Sequence, residues 1–218
     1  MIPTSINKII GNAKLEREAA ERKVKTKRSF LKMDPAQFKD VLVLKSERIF
    51  YERGEPKNYN FDDNNKPIIQ QLYWYATGSE KFNGSIYKGI HLWGNYGTGK
   101  STILQAFCEI MHEYTGRRII TILSKELGAR ILKDGIDYFR VRPLFLDDIG
   151  REIKELKDFG NITKPVPDLY YLRKEVGAWT FQTCQKPIAD LKEMYGEFTT
   201  DRMRAAFNEI EFKGNSRR

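Results

Sequence analysis

Cysteine and histidine are scarce in this chain, at two residues each. Cys108 falls in a predicted helix and Cys184 in a predicted strand, where a lone thiol is an ordinary small core residue. That argues against a disulfide framework or a cysteine-based zinc site, and it suits a reducing cytoplasm. His91 and His112 have no second ligand-type residue at metal-binding spacing, so both read as structural. No stretch approaches the ~18 consecutive apolar residues of a membrane span. The N-terminus lacks the apolar core of a signal peptide. The expectation is a cytoplasmic protein without a membrane partner. Internal repeats and low-complexity segments are also missing.

What the chain has in excess is positive charge. Lys and Arg number 38 against 29 Asp and Glu, a formal net charge of +9. Such a balance suits a polyanionic partner, nucleic acid first among them. Hydrophobic residues make up 40%, enough to build one globular domain that carries an appendage.

The most informative stretch is Gly94-Asn95-Tyr96-Gly97-Thr98-Gly99-Lys100-Ser101. It fits G-x-x-x-x-G-K-[ST], a loop whose backbone N–H groups wrap a nucleotide's β-phosphate. Glycine is required where the backbone takes positive φ or where a side chain would strike the phosphates. Lys100 is expected to reach the β- and γ-phosphates, and the Ser101 hydroxyl to ligate Mg²⁺. The flanks agree with this reading. Gly89 to Trp93 reads as a buried strand entering the loop. Ile103, Leu104, Phe107, Ile110 and Met111 recur at helical spacing after it. A helix N-terminus beneath the phosphates adds partial positive charge. The chain is therefore expected to bind ATP with Mg²⁺.

Upstream, the first 33 residues are polar and highly charged. Lys14 to Lys25 can pair Glu18 with Arg22 and Glu21 with Lys25 at i,i+4. Its apolar face of Leu15, Ala19 and Val24 is thin. Arg22, Lys23, Lys25, Lys27, Arg28 and Lys32 form a basic run, read either as a solvated helix and tail or as a docking arm. Asp34, Pro35 and Gln37 then spell a capped helix start, with Phe38, Val41, Leu42, Ile49 and Phe50 on one face. Gly54 and Pro56 end it. A further helix spans Ile68 to Thr77 and stops at Gly78. Its Tyr73, Trp74 and Tyr75 could stack on bases, though packing against the core is the simpler use of aromatic area.

From Gly89 onward strands alternate with helices, the pattern of a parallel sheet with crossover helices. The expected strands after the first are 118–123, 143–146, 178–184 and 209–212. Between them lie a helix that Ser124 starts, one over 166–176, a short one over 188–195 and one opening at Thr199. The strand Pro143 to Leu146 runs into Asp147-Asp148-Ile149-Gly150. An apolar strand ending in acids fits the one whose carboxylate holds Mg²⁺ in P-loop ATPases. Successive side chains at a strand end point to different sides. Asp147 is thus assigned to the metal and Asp148 to the attacking water. Gln185, at the tip of the strand read as neighbouring the acidic one, is placed to touch the γ-phosphate or its water. Residues 214–218 read as a basic tail.

Together, Gly94 to Thr102, Leu146 to Gly150, Thr183-Cys184-Gln185, Tyr195-Gly196-Glu197 and Asp201-Arg202-Met203-Arg204 resemble the DnaC/IstB branch of AAA+ ATPases. Within it the likeness is to DnaC-type replicative helicase loaders, including the ending Phe212 to Arg218. It covers roughly residues 60–218. The resemblance implies an α/β P-loop NTPase with an AAA+ core at 61–218 and a parallel five-stranded sheet flanked by helices. It leaves no room for a C-terminal helical lid, so closure on the adenine side would fall to residues near 60–90 or to a neighbour. Residues 1–60 become a basic helical segment that docks a partner.

Carried over residue by residue, Gly94 to Thr102 bind nucleotide, Asp147 and Ser101 hold Mg²⁺, and Asp148 is the catalytic carboxylate. Gln185 takes the sensor position, where asparagine is usual. Arg202 takes the position of the arginine that reaches a neighbouring subunit's nucleotide, with Arg204 second; a surface salt bridge is the plainer alternative. The implied activity is ATP hydrolysis, stimulated by DNA or a partner. The implied partners are a replicative DNA helicase, single-stranded DNA and further copies of the chain assembled on ATP. A transposase helper of the IstB kind shares the same machinery. A small-molecule kinase is a third alternative, with the Arg-rich stretch 138–142 as its lid.

Overall fold

Asp34 opens the first helix of the body in the way its sequence dictates. Its carboxylate accepts from the N–H groups of Ala36 and Gln37, both at 2.9 Å, and the Gln37 side chain returns to the Asp34 N–H at 3.3 Å. Those donors have no partner inside the helix, so the side chain supplies one. The computed structural model describes residues 4–27, 29–158, 161–214 and 216. They form two compact units, 1–31 and 32–218.

The first unit is helix α1, Thr4–Lys27. Its Ile6, Ile9, Ile10 and Leu15 side chains are exposed. The side chains of Ala19, Glu21 to Lys25 and Lys27, with Arg28, lie outside the described residues, so most of the basic run does too. The same holds for Asn215, Arg217 and Arg218 in the basic tail.

The second unit begins with α2, Pro35–Glu52, and α3, Lys66–Thr77. Strand β1 (Gly89–Trp93) leads to α4 (Lys100–Thr115), followed by β2 (Ile120–Leu123) and α5 (Leu127–Asp134). Strand β3 (Leu144–Asp147) precedes a short antiparallel hairpin, β4 (Leu156–Asp158) and β5 (Asn161–Thr163). Helix α6 (Pro165–Glu175), β6 (Thr180–Cys184), α7 (Lys192–Tyr195), α8 (Glu197–Ala206) and β7 (Phe207–Glu211) complete it. The main sheet has five strands in the order β2-β3-β6-β1-β7, and every pairing in it is parallel. The hairpin was not expected from sequence, and neither was the boundary after residue 31. The sequence places 1–60 together, but α2 packs on α4 within the body and buries Phe38, Leu42 and Ile49 completely or nearly so.

Helices cover both faces of the sheet, which is why β3 and β6 are buried along their whole length and read as unbroken runs rather than alternating ones. On one face Phe107 of α4 meets the rings of Phe38, Tyr75 and Phe181 with centroids 5.7–6.4 Å apart. Burying a ring of that size stabilises by about 2–3 kcal/mol. Tyr75 donates to Lys88 O at 2.7 Å and accepts from Trp179 Nε1 at 2.8 Å. Tyr73 packs at a tilt against Phe38, with centroids 5.5 Å apart, and donates to Met33 O. The aromatic residues of α3 thus serve the core. A second cluster joins Ile122, Leu146, Leu169, Cys184, Ile188 and Met203.

Two buried polar side chains, one charged and one neutral, are structural. Arg173 of α6 donates to the carbonyls of Phe139, Arg142 and Trp179 and to Thr180 Oγ1. Burial lowers its pKa to about 10, and the four acceptors keep it charged. They also fasten the 138–142 stretch, where Arg142 stacks on Tyr138 at 4.1 Å. His91 of β1 sits in a chain of hydrogen bonds. Tyr170 Oη donates to Gln182 Oε1, Gln182 Nε2 lies 2.6 Å from His91 Nδ1, and His91 Nε2 lies 2.9 Å from Lys186 O. Because a carbonyl only accepts, the imidazole carries its proton on Nε2. Burial lowers its pKa to about 4.

Candidate functional site

The registers of three neighbouring strands decide what meets at the edge of the sheet. Trp93 of β1 lies opposite Cys184 of β6, and Leu146 of β3 lies opposite Gln182. Strand β1 therefore turns into the glycine loop where β6 ends, and Asp147 stands level with Thr183. The loop and the acidic tip are separated by the width of one intervening strand, about 10 Å between backbones. These are carboxyl ends of parallel strands, the edge where α/β sheets bind ligands.

The loop has the backbone that its glycines permit. Gly94, Gly97 and Gly99 take φ of +147°, +73° and +99°. Lys100 follows at the first position of α4 and is buried, with Nζ donating to Gly94 O at 2.7 Å and Asn95 O at 2.6 Å. Those carbonyls hold the ammonium inside the loop's curve. Thr98 Oγ1 also donates to Asn95 O, at 3.1 Å. Thr102, buried behind the loop, accepts from Arg53 at the end of α2, 3.2 Å away. Ser101 is half-buried on the first turn of α4.

At the acidic tip one hydroxyl joins the carboxylate of the first acid to the backbone of the second. Thr183 Oγ1 donates to Asp147 Oδ1 at 2.6 Å and accepts from the Asp148 N–H at 2.8 Å. Asp147 is buried. Asp148 turns away through φ +59°, the single positive φ outside glycine among the described residues. That conformation costs about 1 kcal/mol in an L residue, less for Asp than for most. Bonds on both sides hold it. Ser124 Oγ donates to Asp148 O, and the Ile149 N–H reaches Thr183 O at 2.9 Å. The Asp148 side chain accepts from Gln185 Nε2 at 3.0 Å and pairs with Arg151 Nε at 2.8 Å. Arg151 also lies 5.6 Å from the ring of Tyr96, so it spans from the phosphate loop to the acid.

The structure thus gathers Gly94 to Thr102, Asp147, Asp148 and Gln185 at one edge. It places Arg202 elsewhere, on α8. There the guanidinium lies between the rings of Phe198 and Tyr171, 4.2 and 4.5 Å from their centroids, and faces Glu175 at 3.6 Å. Its Nε is buried without a hydrogen-bond acceptor. The salt bridge is with Glu175 of α6. Thr183, Arg151 and Arg53 went unassigned in the sequence. A hydroxyl two residues before the sensor tip of a strand beside the acidic one is the signal that could have found Thr183.

The residues present fit a magnesium nucleotide. Glycines at positive φ give the loop the turn such a phosphate cradle needs, and a buried ammonium stands where phosphate charge would lie. Among the described residues no three His, Cys, Asp or Glu side chains converge as a metal held by protein alone would need. Mg²⁺ in phosphate sites instead takes one or two protein oxygens and completes its shell with phosphates and water. Ser101 and Asp147 can supply those oxygens.

Neither a protein-family model nor a curated protein matches the chain. Solved structures do. A Streptococcus pyogenes serotype M3 protein proposed to be a primosome component aligns at TM-score 0.55 and 22% identity, over 72% of this chain and 84% of its own. DnaI aligns at 0.54 and 24%, over 72% and 86%. The DnaC helicase loader aligns at 0.55 and 19%, over 71% and 93%. AMPPCP-bound DnaA from Aquifex aeolicus aligns at 0.50 and 17%, over 72% of this chain and 49% of its own. The chain shares the fold of these proteins, a parallel five-stranded sheet flanked by helices.

Proposed function

We propose that this protein binds ATP with Mg²⁺, hydrolyses it, and acts in DNA replication as a DnaC-like loader of the replicative helicase. The observation that carries the reading is the strand-tip arrangement in which Thr183 fixes Asp147 and Asp148 beside the Lys100 loop. A phosphate loop alone serves kinases and ATPases alike. Two carboxylates with a glutamine on one of them give water a place as the acceptor.

In this reading the loop N–H groups and Lys100 bind the triphosphate. Lys100 exchanges the carbonyls of Gly94 and Asn95 for phosphate oxygens. Ser101 and Asp147 would hold Mg²⁺, which when bound would offset the negative charge of the phosphates. Asp148 accepts a proton from the attacking water, and Gln185 orients both. The water oxygen bonds to the γ-phosphorus as the bridging bond to ADP breaks. Arg151 must give up Asp148 for this to happen, which makes the acid available only when something draws Arg151 away. Arg202 acts in trans on a neighbouring copy, so turnover follows assembly.

The loader assignment draws on the fold shared with DnaC and DnaI, the net charge of +9, and a helical arm with exposed isoleucines. Single-stranded DNA would lie on a basic surface of the assembled cytoplasmic protein, with α1 and the run from Arg22 to Lys32 docking the helicase. The test is ATP turnover by the full chain with and without single-stranded DNA, together with ATP-dependent retention of a purified replicative helicase. DNA-stimulated turnover and helicase retention are expected. Turnover that requires a nucleoside acceptor, or retention of a transposase in place of the helicase, would overturn the assignment.

A further inference from the structure

The segment that leaves β7 does not run off into solvent at once. Phe212 is buried, and its N–H donates to Trp93 O at 2.6 Å, extending the pairing of β7 with β1 to the residue before the phosphate loop. The next contacts fall on the loop itself. Gly94 lies so close to Phe212 O that a Cβ there would overlap it, and Gly97 is packed in the same way against Ser216 Oγ. Between these points Gly214, at φ +134°, passes the side chain of Asn64, with a Cβ there lying 3.3 Å from Asn64 Cγ.

Asn64 is itself held in a rigid turn. Asp62 Oδ1 accepts from the N–H groups of Asn64 and Asn65 at 2.9 and 3.1 Å, and Asn65 returns a bond to the Asp62 N–H. The tail therefore bridges two fixed walls, the pre-α3 turn and the end of β1, and it touches two of the three positive-φ glycines in the loop.

We propose that residues 212–214 and 216 act as a strap that braces the phosphate loop and raises its affinity for a nucleoside triphosphate. The inference rests on the reading of that loop as a triphosphate site and names a further element that positions it. Glycine has the most backbone freedom to lose when a loop closes on a ligand. A loop whose Gly94 and Gly97 are already held by the tail has met part of that cost before the nucleotide arrives. By linkage, bound nucleotide must hold the tail in return.

The experiment titrates a fluorescent ATP analogue into the full chain, into a chain ending at Lys213, and into Ser216→Leu, whose side chain is too large to lie against Gly97. Fixing one to two residues corresponds to affinity roughly 5- to 30-fold weaker in both variants, with thermal unfolding of the nucleotide-free proteins unchanged. In the full chain, the analogue slows tryptic cleavage after Lys213, and Lys100→Ala abolishes that protection. Equal or tighter binding by the shortened chain and Ser216→Leu overturns the strap and leaves the triphosphate site standing. Failure of the full chain to bind the analogue at all overturns both.

Discussion

Replacing Thr183 by valine removes one oxygen and little volume, and the consequences follow from its two bonds. The hydroxyl is the donor to a buried carboxylate and the acceptor for the Asp148 N–H, in a side chain only 1% exposed. A hydrogen bond to a charged group contributes about 2 kcal/mol, and a buried N–H left without an acceptor costs about 1 kcal/mol more. Thr183→Val should therefore lose about 3 kcal/mol of stability, which for a chain of this size lowers Tm by roughly 6–12 °C. The effect on chemistry is separable from that on stability. Thr183 makes no bond to the loop that holds Lys100, so ATP binding should survive, while Asp147 and the left-handed Asp148 lose their common anchor. Turnover should fall by at least about tenfold, since misplacing reacting groups by an ångström costs more than that. Thr183→Ser keeps the hydroxyl and should keep most of the activity. The assays are thermal unfolding, ATP affinity, and steady-state phosphate release below the unfolding range. A valine variant with parental Tm and parental turnover would refute the reasoning.

Three further outcomes follow from other sites. His91 stays neutral in the fold down to about pH 4 but takes up a proton near pH 6.5 when unfolded. The unfolded chain binds more protons in that window, so stability declines as pH falls from about 6.5 to 4, by about 3 kcal/mol in all. Urea unfolding at pH 7.5 and 5 should show the loss, and His91→Gln should flatten it; an equal slope in both proteins would contradict the burial argument. Arg173→Met strands the carbonyls of Phe139, Arg142 and Trp179 and should cost at least about 3 kcal/mol by the same urea assay. Arg202→Ala should bind ATP without turning it over, and mixing it with Lys100→Ala should restore turnover, because each inactive copy supplies what the other lacks. No recovery on mixing would remove the trans role.

The features legible in the sequence were those set by neighbours along the chain. The glycine–lysine loop, the Asp34–Gln37 capping box and the Gly78 stop each depend on a few consecutive residues. The five strands of the sheet emerged because their apolar runs are bounded by turns. What stayed hidden depends on register. Nothing near Thr183 in sequence says that it lies level with Asp147, and the pairing of Asp148 with both Gln185 and Arg151 needs the fold. Arg173 reads as one more charge on α6 until Phe139, Arg142 and Trp179 surround it. The 156–163 hairpin escaped because two three-residue strands with mixed side chains carry no period. Likewise α2 showed its apolar face, but the sequence could not say that α4 covers it. The contact of Phe212 and Ser216 with the phosphate loop is of the same kind, formed between segments more than 100 residues apart.

Calorimetric titration of ATP into the full chain tests the central claim most directly, run with and without Mg²⁺ and beside Lys100→Ala and Asp147→Asn. The account predicts saturable binding at one site per chain, lost in Lys100→Ala, and stripped of its Mg²⁺ dependence in Asp147→Asn. Binding that is indifferent to Lys100, or no heat from the parent protein, would contradict it.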